Sequence, residues 1–186
     1  MELIGPYLAA CILLVAAGVA KVVRPMDTAR AVTAVVPVPL RASRALVRAG
    51  ALVEAVLGAV ALVHPSPAAA GLVAASYLGF AGFVSLARAR GGPLATCGCF
   101  GTPDTPATRT HVVVTLGLAA SATVVVVVAG LSGWLPTLLA GQPWRGVPLV
   151  LLGLLCAWLA YLTMGRLAEL GAARRALGIT RHGAVA

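Results

Sequence analysis

Two cysteines one residue apart, Cys97 and Cys99, stand in a stretch that reads RARGGPLATCGCFGTPDTPATRTH over residues 88–111. A disulfide between them would close a small, strained ring, and strained, exposed disulfides have higher, more oxidising potentials. Gly98 has no Cβ and so permits the tight turn such a ring needs. Arg88, Arg90 and Arg109 favour the thiolate, which is the form that attacks a disulfide. The pair therefore points to thiol–disulfide exchange. Two other readings stay open. The thiols could be inert loop residues, or they could hold Cu(I), since soft sulfur ligands select that ion. Zinc wants four ligands, usually as two separated pairs, and here there is one pair with His111 as the nearest third donor. Nothing in the sequence asks for a metal.

Glu54 is the second residue with chemical potential. It sits midway along an apolar segment, where an acidic side chain is costly and is by default a candidate functional site. Lys21, the only lysine in the chain, is its candidate partner, although a lysine at a helix end can also snorkel to the surface. The plainer reading is a protonated or hydrogen-bonded Glu54 that only packs. Cys11 and Cys156 fall near the middle of apolar segments and read as small hydrophobes outside the site.

The elements that must position these residues are set by composition. Of 186 residues, 60% are apolar and 10% charged, and the mean hydropathy is +0.99. A soluble domain has roughly 45–50% apolar and about 25% charged residues, and disorder requires low hydrophobicity and high charge. The chain reads as an integral membrane protein. A spanning helix needs about 20 apolar residues, and the segments 3–23, 45–63, 68–87, 112–130 and 147–164 meet or approach that length. The first lacks the basic leader of a cleavable signal peptide, its only early charge being Glu2. The expected fold is all-α: one polytopic helical bundle of five spans over residues 1–186, with no soluble domain.

The net charge of +9 follows from topology rather than nucleic-acid binding. With five alternating spans, 13 of the 14 basic residues fall on one side, leaving Arg145 alone on the other. Loops rich in Lys and Arg stay cytoplasmic. The amino terminus is thus expected outside, and the carboxyl terminus and the 88–111 loop inside. Between the first two spans, an apolar stretch at 31–40 is broken by Pro37 and Pro39 and lies in the interface or dips into the bundle. His64-Pro65-Ser66-Pro67 reads as a tight turn. Gly71, Ala75 and Gly79 form a ridge of small residues suited to close helix packing.

Three short elements resemble one family. Cys97-Gly98-Cys99-Phe100-Gly101 is similar to the CxCFG signature of the methylamine-utilisation protein MauE family, which is grouped with DoxX-like redox-associated membrane proteins. Gly18-Val19-Ala20-Lys21 resembles its G-x-x-K, and Glu54-Ala55-Val56-Leu57-Gly58 its E-x-x-L-G. The resemblance covers roughly residues 3–130 and implies a four-helix core to which the last span is added. Where family members often carry an Arg-Asn pair after the cysteines, this chain reads His111-Val112-Val113-Val114-Thr115. The resemblance implies a part in maturing methylamine dehydrogenase, a periplasmic enzyme with many disulfides, beside a thioredoxin-like partner. That would turn the cysteines outward, whereas the charge count places them inside.

The reading is therefore a multi-pass protein of the cell membrane that passes electrons between thiols. Cys97 and Cys99 are the redox pair, Glu54 and Lys21 an intramembrane polar element, and a thioredoxin-like protein the partner. No resident cofactor is expected; a quinone is compatible with the reading, but nothing in the sequence supports one. Two different classes stand beside it. One is a non-catalytic assembly factor whose cysteines brace the loop, and the other a small-solute or metal-ion transporter with Glu54 lining the pathway.

Overall fold

The computed structural model describes residues 4–89, 109–127, 147–148 and 150–163. They form α1 (Ile4–Val23), α2 (Pro25–Val35), α3 (Leu40–Val63), α4 (Pro67–Ala89), α5 (Arg109–Val127) and α6 (Val150–Thr163), with no strand among the described residues. Segments Gly5–Val23, Leu40–Val63 and Pro67–Ala89 are long and apolar enough to cross a membrane, while Arg109–Val125 and Val150–Thr163 are shorter apolar helices. The molecule is a helical membrane bundle.

The distribution of polarity is what a bilayer demands. Leu52, Val53, Val56 and Val60 of α3, Leu72 and Leu78 of α4, Val113 and Leu116 of α5, and Leu151, Leu155 and Trp158 of α6 are exposed. Lys21, Ser43, His111, Thr115 and Ser121 are buried instead. In water, apolar surface on this scale marks an interaction site or an aggregation hazard; against lipid tails it is the ordinary outer face. Two of the hydroxyls inside are matched to backbone carbonyls: Thr115 donates to the carbonyl of His111, and Ser121 to that of Leu118. That follows from the absence of water in the hydrocarbon.

α2 is a helix that the hydropathy pattern did not announce. Pro25 opens it at a position where a missing N–H is harmless, and Asp27 favours its first turn. It buries Pro25, Ala29, Ala31 and Val35 and exposes Arg30. Pro37 ends it by holding Val36 extended (φ −122°, ψ 131°). Ser43 of α3 donates to the carbonyl of Ala29 at 3.0 Å, tying the two helices together where both are buried. The tight turn between α3 and α4 is present. There Ser66 caps α4 by accepting the Ala69 N–H at 3.1 Å, followed by Pro67 in the first turn.

The seams differ from the expected ridge. α1 packs mainly along α3, and α4 along α5. The close approach in the first seam belongs to Gly18 and Gly58. A Cβ on Gly58 would lie 2.9 Å from the carbonyl oxygen of Cys11. The ridge read at Gly71, Ala75 and Gly79 is not a packing seam: Ala75 and Gly79 are exposed, and a Cβ on Gly79 would meet nothing within 4 Å. The buried face of α4 is instead Ala70, Val73, Ala74, Tyr77, Ala81 and Val84. Small residues mark a potential ridge, but helix rotation chooses which side is used.

Candidate functional site

Lys21 lies in the last turn of α1 and is only 6% exposed. It points inward rather than snorkelling, because the α1–α3 seam brings an acceptor within reach. Gly18, one turn earlier, meets Ala51 and Ala55, and these two flank Glu54. Lys21 Nζ donates to Glu54 Oε2 at 2.6 Å, across 33 residues of sequence. The ammonium also sits 4.2 Å from the centroid of the Phe80 ring on α4, a cation–π distance. Phe80 is held edge-on by Tyr77, with ring centroids 5.9 Å apart and planes at 85°. Tyr77 Oη donates to the carbonyl of Ala10 at 2.6 Å, which fixes α4 against α1.

Two hollows meet at this pair. A groove of about 280 Å³ is bounded by Thr28 and Val32 of α2, Leu46, Gly50 and Glu54 of α3, and Phe80 and Phe83 of α4, with Lys21 in its wall. A smaller chamber of about 30 Å³ lies on the other side, between α1, α4 and α5, lined by Ala17, Lys21, Tyr77, Phe80, His111 and Thr115 among others. Lys21 and Phe80 line both. Charges at this depth are stable only when paired, since removing one partner leaves the other uncompensated. An ammonium and a carboxylate in direct contact can lock two helices, exchange a proton, or offer a donor and an acceptor to a bound group.

Of the residues singled out in the sequence, Lys21 and Glu54 are thus brought into contact. Cys97 and Cys99, with Gly98 and Arg90, lie outside the described residues. Arg88 at the end of α4 and Arg109 at the start of α5 are both exposed. Cys11 is buried and Cys156 partly buried, both as free thiols. Among the described residues, no three His, Cys, Asp or Glu side chains gather as metal ligands would. Phe80 and Tyr77 join the site unannounced, and His111, read in the sequence only as a third metal donor, joins it too. The only sequence signals for the first two were one tyrosine and two phenylalanines in a helix whose single charge is Arg88 near its end.

A family described as Methylamine utilisation protein MauE matches residues 2–135. No curated protein and no solved structure matches the chain at comparable significance.

Proposed function

Because the chain belongs to the methylamine utilisation protein MauE family, we propose that this membrane protein carries out thiol–disulfide exchange through Cys97 and Cys99, with a thioredoxin-like protein as its partner. The observation that carries the reading is the Cys97-Gly98-Cys99-Phe100-Gly101 run inside the matched range 2–135. The site is proposed to work in the cell membrane with the loop on the cytoplasmic side, following the excess of basic residues there.

In the exchange, one loop thiolate attacks a partner sulfur, forming a mixed disulfide and releasing the partner's second sulfur as a thiolate. The other loop cysteine, deprotonated, then attacks the mixed disulfide and frees the partner. Two electrons pass to the partner, the loop pair becomes a disulfide, and the protons lost by one dithiol are taken up by the other. The reverse sequence reduces the loop. The Lys21–Glu54 pair joins α1 to α3 and supplies a proton-exchanging element within the bundle.

Trapping tests the reading. With Cys99→Ser, the mixed disulfide formed by Cys97 has no resolving thiol, so a covalent adduct with the partner should accumulate in membranes; the reciprocal Cys97→Ser tests the other order. Absence of any adduct in both variants, with the wild-type pair never oxidising, would assign the protein to the non-catalytic assembly class instead.

A further inference from the structure

The groove of about 280 Å³ between α2, α3 and α4 sets one charged pair among apolar walls. Val32, Leu46, Val47, Phe80 and Phe83 supply the apolar surface, Lys21 and Glu54 the charge, and Thr28 is the third polar member. The ion pair is neutral as a unit, so a charged guest would bring an uncompensated charge to membrane depth. A neutral guest fits. Hydrogen bonding narrows its chemistry further. The Lys21 ammonium has three N–H donors; Glu54 Oε2 takes one, and the Phe80 ring covers a second direction. Among the described residues the third has no acceptor, and the Glu54 carboxylate, with its several lone-pair sites, receives no donor besides Lys21. The pair thus presents a spare donor beside a spare acceptor. One hydroxyl answers both, accepting from Lys21 Nζ and donating to a Glu54 oxygen, each bond strengthened by the charge.

Size and lining settle the rest of the guest. Small-molecule sites run from about 300 to 1,000 Å³, so this groove takes one ring and a short chain rather than a whole lipid. Two phenylalanines in the lining suit a flat aromatic ring, which packs on them offset or edge-on. Leu46 and Gly50 are exposed, so the groove opens on the outer face, where molecules dissolved in the bilayer arrive. We propose that the groove binds a neutral, membrane-dissolved phenol: its hydroxyl bridges Lys21 and Glu54, and its single ring lies among Phe80, Phe83 and Leu46. No covalent bond forms and no electron moves in this binding.

The site does not involve the loop cysteines, so it is tested in the full chain carrying Cys97→Ser and Cys99→Ser, where failure of the thiol reading has no bearing. The protein is placed in phosphatidylcholine nanodiscs with ¹³C in its three phenylalanine rings. Signals lost in Phe80→Leu and Phe83→Leu identify those two rings. The probes are 4-butylphenol and butylbenzene, which differ by the hydroxyl alone. The phenol should shift both ring signals saturably, at least about tenfold more tightly than butylbenzene, as hydrogen bonds to charged groups imply. A Cβ on Gly50 meets nothing within 4 Å, so Gly50→Leu, or Gly50→Val if the first does not fold, fills the groove and should weaken phenol binding about tenfold or more. In the double variant Lys21→Met with Glu54→Leu the two probes should bind within about twofold of each other. No saturable shift with the phenol, an equal response to both probes, undiminished binding in a folded Gly50 variant, or a preference that survives the double variant each overturns the proposal. An equal response would make the groove a seat for any apolar chain, lipid acyl groups included.

Discussion

Gly18 of α1 lies so close to Ala51 of α3 that a Cβ added to it would stand 2.7 Å from the Ala51 carbonyl oxygen. Gly58 makes the matching approach to α1 two turns further along. These contacts fix both the rotation and the register of the two helices, and Lys21 meets Glu54 as a consequence. Backbone stands opposite Gly18, and the Cys11 carbonyl together with the stiff, β-branched Val15 side chain opposite Gly58, so neither site has a long flexible side chain to give way.

Gly18→Ala should therefore push the seam apart and destabilise the bundle by about 1–3 kcal/mol, the usual range for overpacking. Thermal unfolding in detergent checks this against Gly82→Ala, where an added Cβ meets nothing within 4 Å. Equal midpoints for the two variants would mean that the glycine contact does not set the register.

The ion pair should behave as a unit. Lys21→Met leaves a carboxylate, and Glu54→Leu an ammonium, without its counter-charge, and each single change should cost about 3–5 kcal/mol. The double variant removes both charges and should cost less than either single one. A double-mutant cycle measured by unfolding checks the sign of the coupling, and simple additivity would remove the pair's structural role. Glu54→Gln keeps the shape and a hydrogen bond but no ionisable proton, so it should fold while impairing thiol exchange.

Thiol labelling should separate the four cysteines. A polar maleimide applied to reduced, opened membrane vesicles should modify Cys97 and Cys99, and neither after mild oxidation. Labelling should stay strong below the ordinary thiol pKa of about 8.5, since Arg88, Arg90 and Arg109 favour the thiolate. Cys11 is buried against α3 and Cys156 packs against the same core, so both should remain unmodified until the bundle is unfolded. Rapid labelling of Cys11 in the folded protein would contradict the packing.

A topology reporter fused after Ala186 should read as cytoplasmic, as should one inserted between Gly91 and Pro93. The basis is the lopsided distribution of Lys and Arg. An external signal at both sites would move the thiol pair to the outer compartment, where a partner maturing exported, disulfide-rich proteins would reach it.

The sequence by itself determined the class of molecule and the elements that span. Hydropathy is a sum over neighbours in the chain, so runs of Val, Leu and Ala fix long apolar helices without reference to anything distant. The cost of an acid in such a run likewise singled out Glu54, with Lys21 as a candidate partner and a protonated packing residue as the alternative. Which partner it takes, and what surrounds it, only the tertiary structure decided. The 33-residue separation of Lys21 and Glu54 carries no periodic signal, and their meeting depends on how α1 and α3 are rotated by Gly18 and Gly58. The same rotation problem misled the reading of Gly71, Ala75 and Gly79, because a stripe of small residues is visible in sequence but the side it faces is not. α2 escaped notice for a related reason: its helix is set by Pro25, Pro37 and the anchoring bond from Ser43 rather than by an apolar run. Phe80 and His111 entered the site only because α4 and α5 pack where they do, since an aromatic ring or an imidazole gains its role from the charge placed beside it.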